Sequence, residues 1–207
     1  LLLTMGNAER HEPLLMIGPK GLERVVTALR SIAPELPFPI YFSELSEQRE
    51  ERKLGPYVIE AYRVNNNVLC YGYCISIPRI GRFDAARAKE QGIPLKFWNP
   101  LQKGQTITDG DKVYTPDMVL GEARRGLKVS YCTDARPVPA IAEYAKDADL
   151  MICEGMYGEP DKQQKAREHK HMTMQEAAKL AAEAKPKELW LTHYSPSLNY
   201  PEEFMEG

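Results

Sequence analysis

Three apolar runs in the second half of the chain each end in a polar residue able to hold a metal or carry a proton. Residues 128–133 (Lys-Val-Ser-Tyr-Cys-Thr) run into Asp134, Leu150-Met151-Ile152-Cys153 into Glu154, and Leu189-Trp190-Leu191-Thr192 into His193. A short helical stretch at 138–145 and an alanine-rich one at 174–184 stand between them, so the rhythm is strand, helix, strand, helix, strand. That alternation predicts an α/β layer. In such layers functional side chains collect at the carboxyl ends of parallel strands. One polar tip is ordinary, but three in succession form a candidate site. A carboxylate can bridge two divalent ions about 3.5–4 Å apart, and imidazole completes their shells. Asp134 has a plainer alternative as a helix N-cap ahead of Pro137, and His193 as a core or turn histidine. Their company is what points to metal binding.

The run Glu168-His169-Lys170-His171-Met172-Thr173-Met174-Gln175-Glu176 adds a second clue. Thr173 is placed to cap the 174–184 helix, with Glu176 in the capping-box position three residues on. His171 then lies just ahead of a helix N-terminus, where a bound phosphate would offset the cost of an imidazolium. It is a candidate proton donor to a leaving oxygen. His169 reads as a solvated helix-end residue.

The first half predicts a strand at 12–18, a helix at 21–31 ended by the proline-rich stretch 34–39, and strands at 40–45, 57–64 and 68–77. From Pro78 to Thr106 the pattern changes: Arg79, Arg82, Arg87, Lys89, Lys96 and Lys103 outnumber Asp84 and Glu90, and Phe97 and Trp98 read as exposed. This segment is expected to be an inserted, protruding arm within a single domain spanning 1–207. The plainer alternative is an ordinary surface loop.

Composition, 43% hydrophobic and 27% charged, is that of a soluble globular protein, and a net charge of -2 leaves any nucleic-acid affinity to a local patch. No run is apolar enough for a membrane span. Cys70, Cys74, Cys132 and Cys153 form no CxxC pair, as expected of reduced thiols in a cytoplasmic protein. The apolar start Leu1-Leu2-Leu3-Thr4-Met5 and the helix-like end Pro201-Glu202-Glu203-Phe204-Met205 read as cut edges, so the chain is expected to be a fragment.

Several of these segments resemble ribonuclease Z, the metallo-β-lactamase-fold endonuclease family. Residues 1–10 are similar to the helix that follows the family's His-x-His-x-Asp-His motif, and Thr133-Asp134-Ala135-Arg136 to its Gly-Asp-Thr-Arg segment. Cys153-Glu154-Gly155-Met156 stands in place of its His-Glu-Ala-Thr loop and His171-Met172-Thr173 in place of His-Ser-Thr. Leu191-Thr192-His193-Tyr194-Ser195 matches the strand end that bears its last zinc histidine.

The resemblance implies a four-layer αββα fold, incomplete at the N-terminus and also at the C-terminus. It implies a zinc-dependent endoribonuclease that removes the 3′ trailer of precursor tRNA by attack of a metal-bound hydroxide. Two zinc ions are expected, with manganese or another divalent metal as the alternative. Asp134 and His193 would be metal ligands, His171 the proton shuttle and Glu154 the group orienting it. Arg82, Lys96, Lys103 and Arg136 would bind the substrate, the arm gripping tRNA by phosphate contacts and shape. A cytoplasmic homodimer with no DNA or membrane partner completes the expectation.

The sequence departs from the pattern in four places. There is no His-x-His-x-Asp-His run. Asn66 stands where a zinc histidine is due ahead of Tyr71-Gly72-Tyr73. The arm has Leu95-Lys96-Phe97 in place of a Gly-Pro pair, and the His-Glu-Ala-Thr loop keeps only its glutamate. The chain by itself is therefore expected to be inactive. The competing readings are another metallo-β-lactamase-fold hydrolase acting on small molecules and a non-catalytic binding protein with a degraded site.

Overall fold

The computed structural model describes residues 1–32 and 35–204; the expectations for Pro34 and Met205 fall outside them. Helix α1 (Leu2–Asn7) precedes strand β1 (Leu14–Pro19), helix α2 (Leu22–Arg30) and strand β2 (Ile40–Leu45). β1 and β2 pair in parallel, Leu14 opposite Ile40 and Pro19 opposite Leu45, with α2 as their crossover. The carboxylate of Glu44 on β2 accepts the Glu23 backbone N–H at 3.0 Å, tying down the first turn of α2.

Strands β3 (Arg49–Leu54), β4 (Tyr57–Arg63) and β5 (Tyr71–Arg79) follow. Then come helices α3 (Ala85–Glu90) and α4 (Leu95–Gln102), the antiparallel pair β6 (Ile107–Asp109) and β7 (Lys112–Tyr114), and strand β8 (Arg124–Cys132). The chain continues through helix α5 (Pro139–Ala145), β9 (Leu150–Glu154), α6 (Gln163–Glu168), α7 (Met174–Ala184) and β10 (Leu189–Thr192). One sheet has six strands in the order β10-β9-β8-β5-β4-β3. Strand β3 was not expected: Arg-Glu-Glu-Arg-Lys-Leu carries no apolar alternation. It ends the sheet's strand order, where charged side chains both fit and discourage further pairing.

The chain divides into two compact units. The first comprises residues 1–54, 59–75 and those from 128 onward; the second comprises Gly55–Val58 and Ser76–Leu127. In the first unit, Ile17 and Leu45 of the small sheet pack with Ala61, Tyr71 and Tyr73 of the large one, so two β-layers meet. Beyond them, α7 lies against β9 and β10 and beside α5. Ala177, Leu180 and Ala184 turn one face of α7 inward at helical spacing, into one core with Cys132, Met151, Cys153 and Ile141. The ring of Tyr62 in this core stacks on Tyr144 at 4.4 Å. All four cysteines are free thiols, three of them buried.

The second unit has a core of its own, formed by Ala88, Ile93, Leu101, Tyr114 and Val119 with Phe83, Phe97 and Trp98 packed on it. This corrects the expectation of exposed aromatics. Phe97 meets Tyr114 with ring centroids 5.4 Å apart, and Trp98 meets Phe83 at 5.1 Å while its Nε1–H donates to the Ile93 carbonyl at 3.0 Å. The helix that buries them was hidden by Pro100, which lies inside α4 and ordinarily signals a stop. Residues 78–106 are thus part of a larger packed body that continues to Leu127.

Candidate active site

The registers of β8, β9 and β10 bring the three strand tips to one edge. All pair in parallel, Cys132 opposite Cys153, Cys153 opposite Leu191, and Glu154 opposite Thr192. Asp134 follows Cys132 by two residues and His193 follows Leu191 by two. The fourth group, His171, comes from the loop ahead of α7. One ligating atom each of Asp134, His171 and His193 lie within 4.8 Å of one another. His171 Nδ1 is 3.5 Å from Asp134 Oδ1, and His193 Nε2 is 4.0 Å from the same oxygen. Among the described residues these are the donors that could share an ion. One carboxylate and two imidazoles suit zinc, manganese and similar ions.

The backbone at these residues is unusual. Asp134 and His193 have left-handed φ values of 56° and 60°, as does Lys170, next to His171, at 63°. A residue with a Cβ held there costs on the order of 1 kcal/mol or more and persists only where its surroundings enforce it.

Those surroundings are visible. Glu154 is fully buried; its Oε1 accepts the Ala135 backbone N–H, and its Oε2 accepts Met172 N–H at 3.2 Å and lies 3.1 Å from His171 Nδ1. Burial pushes its carboxyl up to about 7 despite the two backbone donors. Burial likewise holds the His171 imidazole below its usual value, against the pull of Asp134. Glu154 thus couples the loop after β8 to the loop before α7.

Arg136, expected to bind substrate, has partners within the protein. Its guanidinium forks onto Glu176 at 2.9 and 2.5 Å and reaches the His171 carbonyl at 2.6 Å. Glu176 also closes the expected capping box, accepting Thr173 N–H at 3.0 Å while Thr173 Oγ1 accepts Glu176 N–H at 3.2 Å. Burial alone would raise the Glu176 carboxyl; Arg136 and Thr173 outweigh it and hold it low. Arg82, Lys96 and Lys103 belong to the second unit and are exposed, Lys96 lying 3.6 Å from Asp109.

Sequence reading missed the Arg136–Glu176 pair, although Glu176 had been noticed for its cap. It also left Asn66 without a role. In the structure the Asn66 amide donates to the Asp134 carbonyl at 2.6 Å.

A family model described as "Beta-lactamase superfamily domain" matches residues 88–194. Ribonuclease Z of Lachnospira eligens is 60% identical over 206 residues, an alignment covering all of this chain and 68% of the relative. The chain belongs to the ribonuclease Z family. Ribonuclease Z of Clostridium acetobutylicum is 45% identical, covering all of the chain and 69% of that protein. Among solved structures, the short form of human tRNase Z superposes with a TM-score of 0.63 at 19% identity, covering 95% of the chain and 66% of that structure. The metallo-β-lactamase-fold protein YhfI of Bacillus subtilis does so at 0.52 and 18%, covering 93% and 56%. These two show the metallo-β-lactamase fold, and membership of the ribonuclease Z family makes the protein a metal-dependent hydrolase.

Proposed function

We propose that the chain carries part of the cleavage centre of an endoribonuclease that removes the 3′ trailer from precursor tRNA. The observation that carries this reading is the convergence of Asp134, His171 and His193 within 4.8 Å, in a chain 60% identical to a ribonuclease Z. Asp134 and His193 would hold divalent metal, two zinc ions or manganese in their place. Such ions supply Lewis acidity to a phosphate oxygen and make bound water acidic.

The chain's own groups do the rest. Glu154 takes the Nδ1 proton of His171 in a hydrogen bond, which leaves Nε2 as the ring nitrogen that exchanges a proton with the leaving oxygen. Arg136 and Glu176 hold the backbone on which that ring sits. Arg82, Lys96 and Lys103 would meet phosphates of the tRNA, a binding mode that follows shape and charge, not base identity. The resemblance adds a homodimer in the cytoplasm acting on RNA and not on DNA; among the described residues no helix is long and apolar enough to cross a membrane.

A second reading of His171 is favoured by its 3.5 Å approach to Asp134: it would be a third metal donor. His171→Ala separates the two, since loss of a proton donor spares ion binding and loss of a ligand does not.

The test uses the complete gene product with a labelled precursor tRNA. Trailer release that disappears with chelator and in Asp134→Ala is the expected result. Undiminished cleavage of small phosphodiesters with none of precursor tRNA would overturn it in favour of a small-molecule hydrolase.

A further inference from the structure

Asn66 occupies a place at which the resemblance expects a zinc histidine, yet the structure gives its side chain other partners. Its Oδ1, the atom an amide would offer a metal, accepts the N–H of Asn67 and that of Val68 at 3.4 Å. Its Nδ2, which cannot coordinate, donates to the Asp134 carbonyl at 2.6 Å. One residue back, the Asn65 carbonyl accepts the Arg136 N–H at 2.9 Å. The 65–66 turn therefore grips the loop after β8 on both sides of Ala135, whose own N–H is held by Glu154.

Three consecutive residues, Asp134, Ala135 and Arg136, are each tied to another element, and the first has φ 56°. A left-handed φ persists where the surroundings enforce it, and here the Asp134 carbonyl and the two following amides are all engaged. We infer that Asn66 is a positioning residue: it holds the Asp134 backbone so that the carboxylate faces His171 and His193. The inference rests on the reading of Asp134 as a metal ligand. Groups that orient a ligand typically contribute about 10–100-fold to metal affinity without touching the ion.

Asn66→Asp is the discriminating change, because it keeps the shape, replaces the donor by an acceptor facing a carbonyl, and would improve a true ligand. Asn66→Ala removes both contacts. Two measurements on the complete gene product are needed: manganese binding by calorimetry, and hydrogen exchange of the Ala135 and Arg136 amides without metal. Both variants should bind manganese at least about tenfold more weakly, and both amides should exchange faster in Asn66→Ala while Tyr62 and Ile141 amides keep their rates.

Unchanged exchange at 135 and 136 overturns the inference whatever the metal does. Equal or tighter manganese binding by Asn66→Asp overturns it too, making Asn66 a ligand. If the wild-type gene product binds no manganese, the metal-centre reading loses its support, while the exchange rates still decide whether Asn66 holds the loop.

Discussion

Glu154 Oε2 and His171 Nδ1 lie 3.1 Å apart, a contact that leaves Nε2 as the free ring nitrogen when the carboxylate is the acceptor. Two backbone donors, Ala135 N–H and Met172 N–H, and the ring meet this buried carboxylate. Glu154→Gln keeps the volume but must point its NH₂ at one of them. The variant should lose about 1–3 kcal/mol of stability, the cost of a buried polar group left without its partner. Trailer cleavage should fall about 10–100-fold. Nitrogen NMR of the imidazole supplies the check: the wild type should show the Nδ1–H tautomer of His171 and the variant a mixture. The same tautomer in both would remove Glu154 from the mechanism.

The Arg136–Glu176 pair leaves each side chain only 14% and 13% exposed. Removing one partner from such a pair strands the other, so Arg136→Ala should destabilise the protein by on the order of 3 kcal/mol in urea unfolding. Arg136→Lys should recover little, because an ammonium cannot fork onto a carboxylate and also reach the His171 carbonyl. Arg136→Met combined with Glu176→Leu should be more stable than Arg136→Ala alone. If Arg136→Ala instead leaves stability intact and weakens only tRNA binding, the original expectation of a substrate contact is the better one.

Why some of this was legible in sequence and some was not follows from distance along the chain. The strand tips at Asp134, Glu154 and His193 are local events, an apolar run and the residue that ends it. Helix α7 was equally local: Thr173 and Glu176 mark its start, and the structure begins it at Met174. Strand β3 was missed because a strand at the end of a sheet needs no apolar face. Phe97 and Trp98 were misjudged because Pro100 masks their helix and their partners Tyr114 and Phe83 lie some fifteen residues away on either side. The hydrogen bond from Asn66 to Asp134 spans 68 residues and the pair of Arg136 with Glu176 spans 40. No local pattern encodes either; only the tertiary packing of strands, loops and α7 brings them together.

Glu50 makes a pH-dependent contribution to stability. Its Oε1 accepts the N–H groups of Ser46 at 2.6 Å and Glu47 at 3.0 Å, and its Oε2 meets Arg52 at 2.7 Å. The Glu47 N–H, then Arg52 and the Ser46 N–H, hold its carboxyl down to about 2. Because the folded value is depressed, the stabilisation is complete above the ordinary value near 4.5 and is lost as pH falls toward 2. Glu50→Gln should therefore lower Tm at pH 7, with the gap to wild type narrowing between pH 4.5 and 3. A gap independent of pH would mean that the charge of Glu50 contributes nothing.

The second unit offers the sharpest separation of an RNA enzyme from a small-molecule hydrolase. Deleting residues 78–106 would be a poor test, since it removes Ala88, Ile93 and Leu101 and leaves their core partners Tyr114 and Val119 uncovered. Arg82, Lys96 and Lys103 are exposed, so neutralising them leaves that core intact. If each meets one phosphate, the triple alanine variant should bind precursor tRNA more weakly. Its plot of log affinity against log salt should be shallower by about one per residue lost. Cleavage of a small phosphodiester by the complete gene product should be unaffected, because nothing in that substrate reaches a tRNA-binding surface. An unchanged salt slope would show that these three charges do not face the RNA, and an equal loss on both substrates would mean that the substitutions act on the cleavage centre itself.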